Sequence, residues 1–212
     1  MSSLEIRPGQ HALIVGQTGS GKSELRRALA NAAPRVIVID PKDEISDADL
    51  YTVRSNKSLE RAIGREDRIR CPLTRDHYAD RNQIEEMLSL LLDKARGYMV
   101  QIDELYLCIR SAQSYPPSLG LLYTQGRSRK ISTVGLTQRP VRVPLVAISE
   151  STHYYKFRLS NRDDQKRMAE YMGKGVIEPE NYPEESVHSD PHSYFYCRQG
   201  DRPCEFLLNL GG

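Results

Sequence analysis

The chain has 212 residues, 39% of them hydrophobic and 27% charged, with a formal net charge of +2 at neutral pH. That is enough for one sizeable α/β core with a few appendages, and the composition is that of a soluble globular protein. No apolar run approaches the roughly 18 residues of a membrane span, and residues 1–10 carry no signal-peptide hydrophobic block, so a cytoplasmic protein is expected. Cys71, Cys108, Cys197 and Cys204 are scattered, with no C-x-x-C pair. They read as core thiols in a reducing compartment rather than as zinc ligands.

Residues 11–15 form an apolar run of strand length, and residues 24–30 are good helix-forming sequence. Between them, Gly16, Gln17, Thr18, Gly19, Ser20, Gly21, Lys22 and Ser23 match the phosphate-binding pattern G-x-x-x-x-G-K-[ST] at every fixed position. Such glycines let the backbone curl so that successive N–H groups point at a bound phosphate chain. The helix N-terminus, entered at Glu24, adds partial positive charge. In this pattern Lys22 sits between the β- and γ-phosphates of ATP, and the Ser23 hydroxyl ligates Mg²⁺. The plain alternative is a Gly/Ser-rich turn between a strand and a helix.

Residues 31–34 stop the helix, and 35–40 read as a buried β-branched strand. It ends in Asp40-Pro41-Lys42-Asp43-Glu44, a charged cluster on the rim where open α/β sheets bind ligands. Residues 58–63 suggest a short helix closed by Gly64, 67–72 a short strand stopped by proline, and 74–80 a loop. The clearest helix is 82–96, where Ile84, Met87, Leu88, Leu91 and Leu92 recur at steps of three and four before Gly97. Residues 98–104 are an apolar strand ending in two acids. Asp103 is placed to hold the Mg²⁺ shell, through water, and Glu104 to polarise an attacking water as general base.

Residues 105–114 give no clear signal. A helix begun by proline is expected within 115–125, and 126–130 is a basic turn. Residues 131–137 are a strand running into Gln138-Arg139-Pro140, where the Gln138 amide could bond the γ-phosphate or the attacking water. Residues 141–149 are a connection, 152–159 a strand, and Asn161 caps a helix to about residue 172. An acidic, Pro-containing surface loop is expected at 179–191, then a hairpin of 193–197 and 204–208. No repeat or second domain is visible. One domain is expected, with its core at about 10–173 and the acidic loop and hairpin in 176–212.

Charge is unevenly placed. Residues 105–149 contain no Asp or Glu but carry Arg110, Arg127, Arg129, Lys130, Arg139 and Arg142. One face meeting phosphate or an acidic neighbour is the functional reading, and a solvated basic face the plain one.

With these residues placed, the chain resembles the FtsK–HerA superfamily of DNA-pumping ATPases over roughly residues 10–173. The pieces come in family order: the phosphate loop, Asp40-Pro41-Lys42, Ile102-Asp103-Glu104, Gly126-Arg127, Thr137-Gln138-Arg139-Pro140 and the segment 157–164. The resemblance implies a P-loop ATPase with a mostly parallel sheet flanked by helices. It implies ATP and Mg²⁺ as ligands and a homo-oligomeric ring of five or six subunits. It further implies a trans-acting arginine, with Arg127 the first candidate and Arg129 the second, and Gln138 as phosphate sensor. Such a finger is worth about 10³–10⁵ in rate. The membrane domain, N-terminal barrel and C-terminal winged helix of larger members are not seen. That points to the compact branch, the genome-packaging ATPases of membrane-containing icosahedral viruses. The expected partners are double-stranded DNA, held through its phosphates without sequence preference, and a capsid or portal-vertex protein. A cellular or plasmid translocase or helicase is the alternative. Two further readings are a small phosphate-loop kinase and a GTP-binding switch, the latter from Asn161-Arg162-Asp163-Asp164.

Overall fold

The computed structural model describes residues 5–178, 187–188, 190 and 192–207. Most of the acidic loop expected at 179–191, and residue 208 of the expected hairpin, lie outside the described residues. Nine strands form one sheet: β1 (Ala12–Val15), β2 (Val36–Asp40), β3 (Tyr51–Thr52), β4 (Arg68–Pro72), β5 (Met99–Ile102), β6 (Ser132–Thr137), β7 (His153–Lys156), β8 (Ser193–Arg198) and β9 (Cys204–Leu207). Their order is β3-β4-β2-β5-β6-β1-β7-β8-β9. Every pairing from β3 across to β7 is parallel, while β7–β8 and β8–β9 are antiparallel. The connecting helices are α1 (Lys22–Ala32), α2 (Asn56–Ala62), α3 (Arg75–Ala79), α4 (Asn82–Lys94), α5 (Pro117–Gln125), α6 (Leu145–Ser149) and α7 (Arg162–Met172).

The central strands are apolar at consecutive positions because both faces are covered. In β1, Ala12 and Ile14 pack with Leu25, Leu29 and Ala30 of α1. Leu13 and Val15 point the other way, into a core shared with Ile84, Leu88 and Leu91 of α4 and Leu119 and Leu122 of α5. The five apolar positions read as one face of the 82–96 helix are all buried. No helix among the described residues is long and apolar enough to cross a membrane.

Several elements differ from the sequence reading. Residues 75–79 are a helix, not a loop. Thr74 and His77 cap it reciprocally, a box in which histidine replaces the usual Glu or Gln. The two-residue β3 has an exposed pattern and no apolar alternation to betray it. Residues 145–149 form a short helix begun after Pro144. The strand expected at 152–159 stops at Lys156, because beyond it the backbone turns to hold the phosphate loop. Three of the cysteines are buried, but Cys204 on edge strand β9 is exposed, so it is not a core thiol.

Asp40 corrects the expectation of a ligand-facing rim cluster in part. Its side chain is fully buried. It accepts hydrogen bonds from the Ile45 N–H at 2.9 Å and from the Arg70 guanidinium at 2.7 and 3.0 Å. Arg70 also pairs with Asp43. Asp40 and Arg70 thus fasten the turn after β2 to β4. Removing one partner of a buried pair leaves the other uncompensated. Asp40→Ala is expected to cost about 3–5 kcal/mol in urea denaturation. A loss within about 0.5 kcal/mol, typical of surface sites, would show that the turn holds without it.

Candidate active site

The sheet order decides which residues meet. The strands β2, β5, β6 and β1 are consecutive neighbours. Their C-terminal ends carry Lys42, Glu104, Gln138 and the phosphate loop, so these groups fall in a row across adjacent strands spaced about 4.8 Å apart.

The phosphate loop is clamped at its root. Gly16 donates its N–H to Thr137 O at 3.2 Å, and Gln17 donates to Arg158 O at 2.8 Å. A Cβ on Gly16 would lie 2.6 Å from both Phe157 Cβ and Ser20 Oγ, which leaves room only for glycine. Gly21 caps α1 with φ of 103°, a left-handed conformation that favours glycine. Lys22 opens α1, and its ammonium donates back to Gln17 O at 2.9 Å. Burial pulls the Lys22 amine below its ordinary pKa, and the nearby Glu104 and Asp103 carboxylates act in the opposite direction. The Ser20 hydroxyl is buried without a partner among the described residues.

Glu104 adopts φ of 49°, the left-handed region that a non-glycine residue rarely occupies. This turn follows β5 directly, and the side chain is only 5% exposed. Its Oε1 accepts from Gln138 Nε2 and from Lys42 Nζ, the latter at 3.3 Å. Its Oε2 is buried with no donor among the described residues. Gln138 Oε1 in turn accepts from Thr18 Oγ1 at 2.9 Å. A continuous line therefore runs Thr18–Gln138–Glu104–Lys42. Asp103 lies beside it, its carboxyl pushed above the ordinary range first by burial and then by the Glu104 charge. Lys42 is pulled up by Glu104, by charge and by hydrogen bond, against the opposing effect of burial.

The structure thus brings together Gly16, Gln17, Thr18, Gly19, Ser20, Gly21, Lys22, Ser23, Asp103, Glu104 and Gln138. Glu24 sits on the α1 surface, paired with Arg27. A cavity of about 230 Å³ is lined by Gly19, Gly21, Lys22, Ser23, Glu24 and His192. A larger one of about 420 Å³, beside Ala33, Pro34 and Tyr98, touches none of the residues in this row.

Arg127 and Arg129 do not join the group. They precede β6, whereas Gln138 follows it, and its six residues span about 20 Å at roughly 3.3 Å each. Arg129 is held by Leu92 O at 2.8 Å and Asp93 at 3.2 Å. The Arg127 side chain is exposed and makes no hydrogen bond or ion pair with a described residue.

Two residues near the loop escaped the sequence reading. Lys42 stood in a noticed cluster, but only the β2–β5 adjacency shows that it faces Glu104. His192 approaches from far along the chain with no motif to flag it. The residues offered for a guanine-binding role are engaged elsewhere. The Asn161 side chain accepts from the N–H groups of Asp163 and Asp164 to cap α7. Asp164 is buried against Arg139, with Nε–Oδ2 at 2.6 Å.

Sheet order, loop and following helix define a P-loop NTPase fold. No family model matches the chain. Over 102 residues it is 31% identical to the DNA packaging ATPase P9 of Enterobacteria phage PRD1, a match covering 46% of this chain and 42% of that protein. The matched part is thus less than half the length of that relative. The structure superposes on the genome packaging NTPase B204 from Sulfolobus turreted icosahedral virus 2. The sulfate complex gives a TM-score of 0.74 at 15% identity, covering 98% of this chain and 100% of that one. The AMPPCP complex gives 0.69 at 16% identity, covering 93% and 97%. At such identities the structural likeness shows a shared fold. Sequence and fold together support the FtsK–HerA resemblance read from the motifs.

The crowding at Gly16 can be tested. Gly16→Ala forces the loop root off Phe157, an overpacking that costs about 1–3 kcal/mol. Affinity for a fluorescent ATP analogue is expected to fall about tenfold or more, the lower part of that range. Unchanged affinity in a titration would mean the loop absorbs the methyl freely.

Proposed function

We propose that this protein is an ATPase that moves double-stranded DNA, working as a homo-oligomeric ring of five or six copies in viral genome packaging. The observation that carries this reading is the hydrogen-bonded line from Thr18 of the phosphate loop through Gln138 to Glu104. It joins the phosphate loop to a carboxylate whose second oxygen is buried with no donor among the described residues. The similarity to a packaging ATPase supports the biological setting.

The chemistry follows from these groups. Lys22 exchanges the Gln17 carbonyl for β- and γ-phosphate oxygens, and the loop N–H groups surround the chain of phosphates. A water held at Glu104 Oε2 attacks the γ-phosphorus. Its proton passes to the carboxylate, and the bond from the γ-phosphorus to the ADP oxygen breaks, leaving ADP and phosphate. Gln138 orients Glu104 and can donate to the water or the phosphoryl oxygens.

The oxygen donors suit Mg²⁺, a hard cation usually held by one or two carboxylates plus substrate phosphates rather than by a protein cage. No group of three or more His, Cys, Asp or Glu side chains among the described residues could hold a metal. Asp103, which makes no side-chain bond to a described residue, and the Ser23 hydroxyl would hold it, Asp103 through water. There it would neutralise charge on the phosphates.

Arg127 serves as the trans finger in this proposal. It lies too far from its own phosphate loop to act there, and unlike Arg129 its guanidinium has no partner among the described residues. Duplex DNA is held through backbone phosphates, and a capsid or vertex protein docks the ring.

Glu104→Gln keeps the shape but cannot take the proton. Turnover is expected to fall about 10²–10⁴-fold, with KM for ATP little changed, in a phosphate-release assay. Wild-type turnover would remove Glu104 from the chemistry. For the trans assignment, Arg127→Ala and Lys22→Ala proteins are each expected to be inactive, while mixtures regain activity at interfaces that combine both intact groups. No recovery in verified mixed assemblies would refute the assignment.

A further inference from the structure

A groove of about 350 Å³ opens on the same rim of the sheet, beyond β5 and β6. Its walls include Tyr106, Arg110, Ser111 and Gln113 from the segment after Glu104, and Arg142 from the segment after Gln138. No carboxylate lines it. Arg110 and Arg142 are both exposed, and neither side chain makes an ion pair or hydrogen bond to a described residue. Arg139, three residues before Arg142, is by contrast committed to buried Asp164. The polar wall is built: Ser111 Oγ accepts from the Ser114 N–H at 3.0 Å, closing the tight turn that presents Arg110.

We propose that this groove is the site where each protomer grips a DNA backbone, with Arg110 and Arg142 each holding a phosphate. The proposal rests on the motor reading above. Two guanidiniums without a partner among the described residues, in a groove that no carboxylate lines, fit polyanion phosphates better than any apolar or cationic partner. The placement also supplies coupling. Each arginine is carried on the direct continuation of a strand end that bears a catalytic group: Glu104 leads through the turn at Leu105–Cys108 to Arg110, and Gln138 leads through Pro140–Arg142. A change in the Gln138–Glu104 contact on loss of the γ-phosphate displaces both groove walls together.

The test compares wild type, Arg110→Ala/Arg142→Ala and Arg110→Lys/Arg142→Lys on a fluorescent 30-base-pair duplex across a salt series. Turnover with and without DNA is measured alongside. The alanine pair is expected to lower the slope of log affinity against log salt by about 1.8 for each protomer engaged on the duplex, the value for two lost phosphate contacts per protomer. Stimulation of hydrolysis by DNA is expected to disappear. DNA-free turnover stays within about twofold, because neither residue touches the nucleotide. The lysine pair is expected to retain the slope, since both charges remain. A wild-type slope in the alanine pair would overturn the groove assignment while leaving the motor reading intact. Dissociation of the assembly by the alanine pair would reassign the groove to a subunit contact. A wild type that hydrolyses ATP but binds no duplex would overturn both readings.

Discussion

Everything at this site depends on one constraint: β2, β5, β6 and β1 lie side by side in that order. No two of their functional ends are close in sequence. Lys42, Glu104, Gln138 and Thr18 become neighbours only because parallel strands, each returning through a crossover, end on the same rim. The sheet therefore acts as a ruler. Its inter-strand spacing of about 4.8 Å is a short side chain's reach. That is why a single glutamine can touch the phosphate loop with one atom and the Glu104 carboxylate with another.

Burying Glu104 is costly, and the structure shows how the cost is offset. An ionised carboxylate out of water needs both charge and hydrogen-bond compensation. Gln138 supplies the second and Lys42 both, on the same oxygen. The other oxygen has no donor among the described residues. The left-handed backbone at Glu104 adds strain of order 1–3 kcal/mol. A strained, half-satisfied residue in an otherwise regular strand end is typical of a functional position.

How much of this was legible beforehand differs by element. The phosphate loop was fully legible, because its spelling is dictated by backbone curvature that the Gly16 and Gly21 geometry now shows. Strands β2, β5 and β6 and helix α4 were legible because burial on both faces, or on one helical stripe, imposes an apolar pattern. The role of Asp40 was not, since a buried ion pair with Arg70 and a solvent-facing acid spell the same letter. Lys42 could be noticed but not paired, because strand order is a long-range property that no local pattern encodes. The helix at 75–79 was missed because its cap uses histidine and it lacks apolar periodicity. Cys204 was misread because a short hairpin does not reveal which strand is the edge.

The most consequential feature is what the fold keeps apart. Arg127 and the phosphate loop occupy opposite ends of strands in one rigid sheet, with about 20 Å between the ends of β6. No side-chain rotation closes that gap. If Arg127 completes a site, the site must be shared, and the two surfaces that meet are different patches of the same molecule. Such contacts are heterologous: each copy offers its strand N-terminal edge to the rim of the next. Repetition of a heterologous contact gives a ring if the rotation closes and a filament if it does not. In the proposed ring the same separation would give the assembly a sequence of action. Cleavage at one interface would alter the contacts of Gln138 and Glu104 within one copy, and release of the neighbour's arginine would report that change to the next. A motor that must step in order along a polymer needs a path of this kind, and under the proposed assignment a parallel sheet with Arg127 at one end and the phosphate loop at the other would supply it.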